Sequence, residues 1–236
     1  MHLNGLYVTG TDTGIGKTVA STALLQALRA GGAGAVGMKP VASGCVATAD
    51  GWRNDDAMAL LAASDPKPAY ADVNPYALPL PLAPELAARA AGVSVQLAPI
   101  EAAYGRLQAQ ARCVVVEGVG GWAAPLSGSL DQVDVVRALD LPVVLVVGLR
   151  LGCLSHAYLT ARAIAGDGCW LAGWIGNEID PEMACRDEVL DLLRARIPAP
   201  CWGWLPHLGP PDALALSRAL QLPVQAPGMT SGTDER

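Results

Sequence analysis

Two kinds of apolar pattern alternate along the chain. Short runs without polar alternation occur at Leu6-Tyr7-Val8, Ala35–Met38, Cys113–Val116, Pro142–Val147, Leu171–Ile175 and Cys201–Trp204. A strand buried on both faces reads this way, because its side chains point alternately into two dry layers. Between these runs, apolar residues recur every three or four positions. That spacing predicts helices over Thr18–Leu28, Asp55–Ala63, Pro99–Arg112, Cys153–Ala165, Pro181–Ile197 and Asp212–Leu220. In the first helix Val19, Leu24, Leu25 and Leu28 carry the apolar spacing, and Gly31-Gly32 stops it. The alternation predicts an α/β fold, with a mostly parallel central sheet, right-handed crossovers and helices on both faces. Proline-rich stretches within 64–84 are expected to be loops of the same domain, since neither side supports a second core. A single domain is expected over 1–222, followed by a mobile polar tail, PVQAPGMTSGTDER, over 223–236.

Composition narrows the functions. With 236 residues, 52% of them hydrophobic and only 16% charged, the chain can bury one large core, and its bulk is not disordered. Net charge is −6 and no lysine/arginine cluster could follow a phosphate backbone, so no nucleic-acid partner is expected. The longest apolar stretch, Leu141 to Leu149, is too short to span a bilayer, and MHLNGLYVTG, without a charged and then apolar leader pattern, is not expected to be a signal peptide. Six cysteines without a C-x-x-C pair read as free, buried thiols. No membrane association and a cytoplasmic location are therefore expected.

The first turn carries the most specific motif, Gly10-Thr11-Asp12-Thr13-Gly14-Ile15-Gly16-Lys17-Thr18. It follows a strand and opens a helix, as a phosphate-binding loop must. Backbone N–H groups at a helix N-terminus hold an anion, Lys17 reaches the outer phosphates, and the Thr18 hydroxyl suits Mg²⁺. The usual spacing asks for glycine at position 11, where this chain has Thr11. The predicted fold is therefore P-loop NTPase-like, and a nucleoside triphosphate is its expected ligand. Histidines 2, 156 and 207 are scattered and define no metal site.

In an open parallel sheet, ligands bind beyond the carboxyl ends of the strands, so residues at those ends become candidates. The run Cys113–Val116 closes on Glu117-Gly118-Val119-Gly120-Gly121, a Walker B-like end with Glu in place of Asp. Leu171–Ile175 leads to Gly176-Asn177-Glu178, where an amide can serve a purine edge or simply a turn. Asn54-Asp55-Asp56 opens a helix, so one aspartate can cap it while the other stays free for metal. Lys39 leaves the second strand between Met38 and Pro40 and should enter the same crevice as Lys17. Two ammonium groups near one γ-phosphate suit a phosphoryl transfer in which negative charge develops.

Beyond these motifs, GTDTGIGKTVAS, KPVASG, RNDDAMAL, VNPYAL, VEGVGGWAAPLS, LPVVLVVGLRLGCLSHAYLTARAI and LAGWIGN resemble the dethiobiotin synthetases over about residues 4–210. The resemblance implies a homodimer that uses ATP and Mg²⁺ to close a ureido ring on 7,8-diaminopelargonate with CO₂. It places Lys39 and Lys17 in catalysis, and the backbone of Gly14, Ile15, Gly16, Lys17, Thr18 and Val19 on the triphosphate. Thr18, Asp56 and Glu117 fall on the metal, and Thr13 and Ser43 near the diamine. Gly118, Val119 and Gly120, with Asn177, Glu178 and the segment Pro206-His207-Leu208, complete the nucleotide site. Gly152, Cys153, Leu154 and Ser155 would receive the substrate carboxylate from the neighbouring subunit. Gly14, Glu178 and Ser155 stand where relatives frequently have Glu, Asp and Asn. The rival expectation is a switch ATPase of the partitioning or division-site kind (ParA- or MinD-like). Such proteins usually have a lysine early in the phosphate loop, and Gly10 to Gly14 has none.

Overall fold

The computed structural model describes residues 4–32 and 34–223. All of the expected tail except Pro223 lies outside them. Six strands form the central sheet: β1 (Gly5–Gly10), β2 (Ala35–Met38), β3 (Cys113–Glu117), β4 (Val143–Leu149), β5 (Leu171–Glu178) and β6 (Cys201–Leu205). Their order is β6-β5-β4-β1-β3-β2, and every neighbouring pair is parallel. Among the helices that accompany them are α1 (Lys17–Ala30), α2 (Asp55–Ala63), α3 (Leu97–Gln108), α4 (Gln132–Ala138), α5 (Cys153–Gly166) and α6 (Arg186–Arg196).

The continuous apolar runs explain this layering. Leu6 and Val8 of β1 pack with α1 and α2, while Tyr7 between them packs with α3 and α4 on the opposite face. Leu145, Val147 and Trp174 extend that second face to α5 and α6. Fully burying one such Val or Leu contributes about 1.5–3 kcal/mol, so the two layers fix the strand order firmly. Gly37 is demanded by close approach, since a Cβ there would sit 2.7 Å from Leu60 Cβ of α2.

Boundaries differ from the expected ones where polar caps decide them. The expected helix Pro181–Ile197 begins only at Arg186, because residues 179–185 are turns ending in Cys185 at φ 52. Asp212 caps a helix of five residues, Ala213–Ser217, that stops short of Leu220. The stretch 64–84 is not only loop. It holds the helical turn Tyr70–Val73 and the strand Tyr76–Leu78, which pairs in parallel with Val41–Ser43. A hairpin, Val46–Thr48 with Gly51–Arg53, follows Ser43. Each of these strands has only three residues, too few for a periodicity to show. Among the described residues no helix is long and apolar enough to cross a membrane.

Candidate active site

The β1–α1 turn puts its backbone over the carboxyl ends of β1, β4 and β5. Thr11 N–H donates to Val146 O of β4 at 3.1 Å, which fixes the start of the loop. Gly16 sits at φ 84 just before α1, a left-handed conformation that glycine adopts without a steric cost. A Cβ at Gly16 would also overlap the Asn177 amide. Ile15 buries its side chain against Gly148, so the loop is anchored from below while Thr13 and Gly14 stay exposed.

Beneath the loop, four functional groups converge. Lys39 Nζ lies 2.7 Å from Glu117 Oε1 and 3.1 Å from Asp56 Oδ2, and donates to Gly118 O at 3.0 Å. Thr18 Oγ1 donates to the same Glu117 oxygen at 2.9 Å. Lys39 is 3% exposed and Glu117 fully buried, so each needs the other: an unpaired charge there would be very costly. Burial alone would lower the Lys39 pKa, but Glu117 and Asp56 outweigh it and hold Lys39 above the usual lysine value. Burial likewise works against the Asp56 carboxylate, and Lys39 outweighs it, leaving Asp56 more acidic than usual. Lys17, 7% exposed, folds back to donate to Asp12 O at 2.8 Å. Burial and then the nearby Lys39 charge lower its pKa to about 8.

Glu117 Oε2 is buried with no hydrogen-bond partner. With Thr18 Oγ1 and Asp56 beside it, this all-oxygen donor set suits a hard divalent cation such as Mg²⁺. The helix cap is Asn54, not an aspartate. Its Oδ1 accepts from Ala57 N at 3.2 Å and its Nδ2 donates to Ser43 O at 3.3 Å. That leaves Asp56 free to face Lys39 and ties Ser43 to the same wall.

Two adjoining cavities meet at Gly14, Gly16 and Val19. The first, about 410 Å³, has Thr13, Lys17, Thr18, Lys39, Ser43, Asp56, Val119 and Gly120 among its walls. The second, about 310 Å³, is bounded by Asn177, Glu178 and the segment Pro206-His207-Leu208. Asn177 spends its amide donor on Ile15 O at 2.8 Å, and a carbonyl can only accept, so the amide orientation is fixed. Its Oδ1 is left to accept from a ligand. Sequence reasoning therefore found most residues of both cavities. Gly118 is internal, with its N–H on Val8 O and its carbonyl taken by Lys39. Gly152, Cys153, Leu154 and Ser155 line neither cavity. They start α5, where Cys153 is buried and the preceding Leu151 is 96% exposed.

Sequence reasoning missed the braces. Asp12 in the loop pairs with Arg150 after β4 at 2.7 Å, and Glu178 pairs with Arg186 at 2.9 Å. No local spacing announces either one.

A phosphate-binding loop, a buried lysine–carboxylate cluster and a second, base-sized cavity define a P-loop enzyme of nucleotide-dependent phosphoryl chemistry. Comparison with known proteins makes this specific. The family described as "AAA domain" matches residues 4–213. The ATP-dependent dethiobiotin synthetase BioD of Xanthomonas oryzae pv. oryzae is 65% identical over 223 residues, covering 94% of this chain and all of that protein. The same enzyme of Xylella fastidiosa is 62% identical over 210 residues, 89% of this chain and 93% of that protein. A solved MinC:MinD cell division complex from Aquifex aeolicus superposes with a TM-score of 0.55 at 12% identity, covering 92% of this chain and 86% of the solved one. That likeness concerns the fold alone. The chain belongs to the ATP-dependent dethiobiotin synthetase family, a family of ATP-dependent ligases.

Proposed function

We propose that the two cavities carry out ureido ring closure on 7,8-diaminopelargonate, with CO₂ and ATP as co-substrates. One substrate amine attacks the carbon of CO₂ and loses a proton, giving a carbamate. The carbamate oxygen attacks the γ-phosphorus of ATP, the bond to ADP breaks, and a carbamic–phosphoric anhydride results. The second amine then attacks the carbonyl carbon and phosphate leaves, so dethiobiotin, ADP and phosphate are the products.

The residues divide these tasks by position. The amides of Gly14–Val19 and the Lys17 ammonium hold the triphosphate, and Lys17 must leave Asp12 O to do so. Lys39, at the junction of Glu117 and the cavity, faces the carbamate and the transferring phosphoryl group. Thr18, Asp56 and Glu117 would hold Mg²⁺, which supplies charge neutralisation of the phosphate oxygens. Thr13 and Ser43 line the cavity where the diamine would lie. The free Asn177 Oδ1 suits the exocyclic amino group of adenine.

Two copies complete the enzyme in this reading. The substrate carboxylate would be met by Gly152–Ser155 of a second copy, consistent with their position outside the chain's own cavities. The single observation that carries the proposal is the Lys39–Glu117–Asp56–Thr18 cluster beneath the loop. ADP release measured with and without diaminopelargonate and bicarbonate tests it. Release that requires both is the expected result, and release indifferent to the diamine would favour a switch ATPase.

A further inference from the structure

The second cavity is closed on one side by the segment Pro206-His207-Leu208, which continues from the edge strand β6. An edge strand has a neighbour on one side only, so the chain leaving it needs other anchors. Glu178, at the end of β5, provides them with both carboxylate oxygens. Oε2 accepts from His207 N–H at 3.1 Å, and Oε1 accepts from Arg186 Nη1 at 2.9 Å. The Glu178 carbonyl also lies 3.2 Å from His207 Nδ1. Arg186, the first residue of α6, places its guanidinium 5.0 Å from the centre of the Trp204 ring on β6. The guanidinium is therefore held between a carboxylate of β5 and an aromatic face of β6, one residue pair before the strap begins.

Glu178 is 8% exposed and would turn its carboxylate elsewhere, or take up a proton, without a cationic partner. Burial works against the charged form, but the His207 N–H and Arg186 prevail and keep Glu178 more acidic than usual. Losing Arg186 would leave Glu178 Oε1 without its anchor and free the carboxylate to rotate away from His207 N–H, loosening the wall that faces Asn177.

We infer that Arg186 is a positioning residue for the nucleotide base, acting through Glu178 and Trp204 on the strap Pro206–Leu208. This rests on the reading of the second cavity as the base site. Glu178 and the strap line only the second cavity, so the effect of Arg186 on them is confined to ligands that carry a base.

The test uses the full chain with two probes in the presence of Mg²⁺: ADP, and inorganic tripolyphosphate, which has no base. Arg186→Ala should weaken ADP binding about fivefold, equal to about 1 kcal/mol. Tripolyphosphate affinity and kcat at saturating ATP should stay as in the wild type. Arg186→Lys keeps the charge but not the planar stacking, and should recover part of the ADP affinity. Equal ADP affinity in the Arg186→Ala variant and the wild type would overturn the inference. So would equal loss of ADP and tripolyphosphate, which would mean that Arg186 supports the whole fold. Wild-type protein that binds ATP, without diamine, no more tightly than tripolyphosphate, which has the same number of phosphates, would overturn the base-site reading itself.

Discussion

Replacing Lys39 with methionine removes a charge while nearly keeping its volume, and separates two roles of the same ammonium. In the resting protein it faces Glu117 at 2.7 Å and Asp56 at 3.1 Å. The first contact alone corresponds to about 6 kcal/mol of Coulomb energy at an effective dielectric constant of about 20. Desolvation of both ions offsets much of that, so breaking such a buried pair costs about 3–5 kcal/mol net. In the reaction, loss of a preorganised cation near the transferring phosphoryl group should raise the barrier by about 3 kcal/mol, roughly a hundredfold in turnover. Thermal unfolding in EDTA and in excess Mg²⁺, alongside single-turnover phosphate release, reads both effects. The variant should melt well below the wild type in EDTA. Mg²⁺ should then raise its midpoint more than it raises that of the wild type, because two carboxylates and Thr18 face one another without a cation. Turnover within about threefold of the wild type, or melting indifferent to Mg²⁺, would refute this reasoning.

Other expectations follow from the same geometry. Glu117→Gln keeps the shape but lowers the anionic charge beside Thr18, so half-maximal turnover should require more Mg²⁺, with excess Mg²⁺ recovering part of the rate; an unchanged Mg²⁺ titration would assign Glu117 a purely structural role. Lys17 has a folded pKa of about 8, below its unfolded value. Between about pH 8 and 10.5 the unfolded chain therefore binds more protons at this group, and its contribution to stability rises with pH. Over that same rise the loop loses its ammonium, so KM for ATP should climb, and a flat KM profile from pH 7 to 9.5 would contradict the assignment. If two copies share the site as proposed, an inactive Lys39 variant mixed with a Gly152→Leu variant should regain activity in heterodimers. A Cβ at Gly152 meets nothing within 4 Å in its own chain, although its φ of 93 adds local strain. Normal diamine KM in a strictly monomeric Gly152→Leu protein would exclude sharing.

Much of this site was legible because phosphate chemistry sits at strand ends, and strand ends are marked by where apolar runs stop. Lys39 and Glu117 each follow such a run, and the sheet register places Met38 opposite Val116, so their convergence follows directly. Asn177 was located too, but not its state. Only the long-range bond to Ile15 O, 162 residues away, shows which amide atom is left for a ligand. Asn54 was read as flanking the helix, with an aspartate as cap, because Asn and Asp cap almost equally well. The bond from Ala57 N–H to Asn54 Oδ1 decides between them. The segment 64–84 was opaque for a different reason. Its strand of three residues is stabilised by pairing with Val41–Ser43, a tertiary contact that leaves no period in the sequence. Arg150 and Arg186 look like ordinary surface arginines until their carboxylates are seen.

The ion pairs around the crevice have a consequence for how ligands arrive. Asp12 is matched by Arg150, Glu178 by Arg186, and Asp56 with Glu117 by Lys39 together with Lys17 below about pH 8. These groups sum to zero, so they create no net monopole to draw in a polyanion, and the molecule as a whole, at −6, mildly repels one. Capture of the triphosphate is left to close contact with the Lys17 ammonium and the fixed dipoles of the β1–α1 turn, whose reach is only the first turn of helix. Ionic strength acts on exposed, unbalanced charges over a Debye length of about 8–10 Å. Nucleotide encounter with this crevice is accordingly a short-range, salt-tolerant event rather than one of long-range steering.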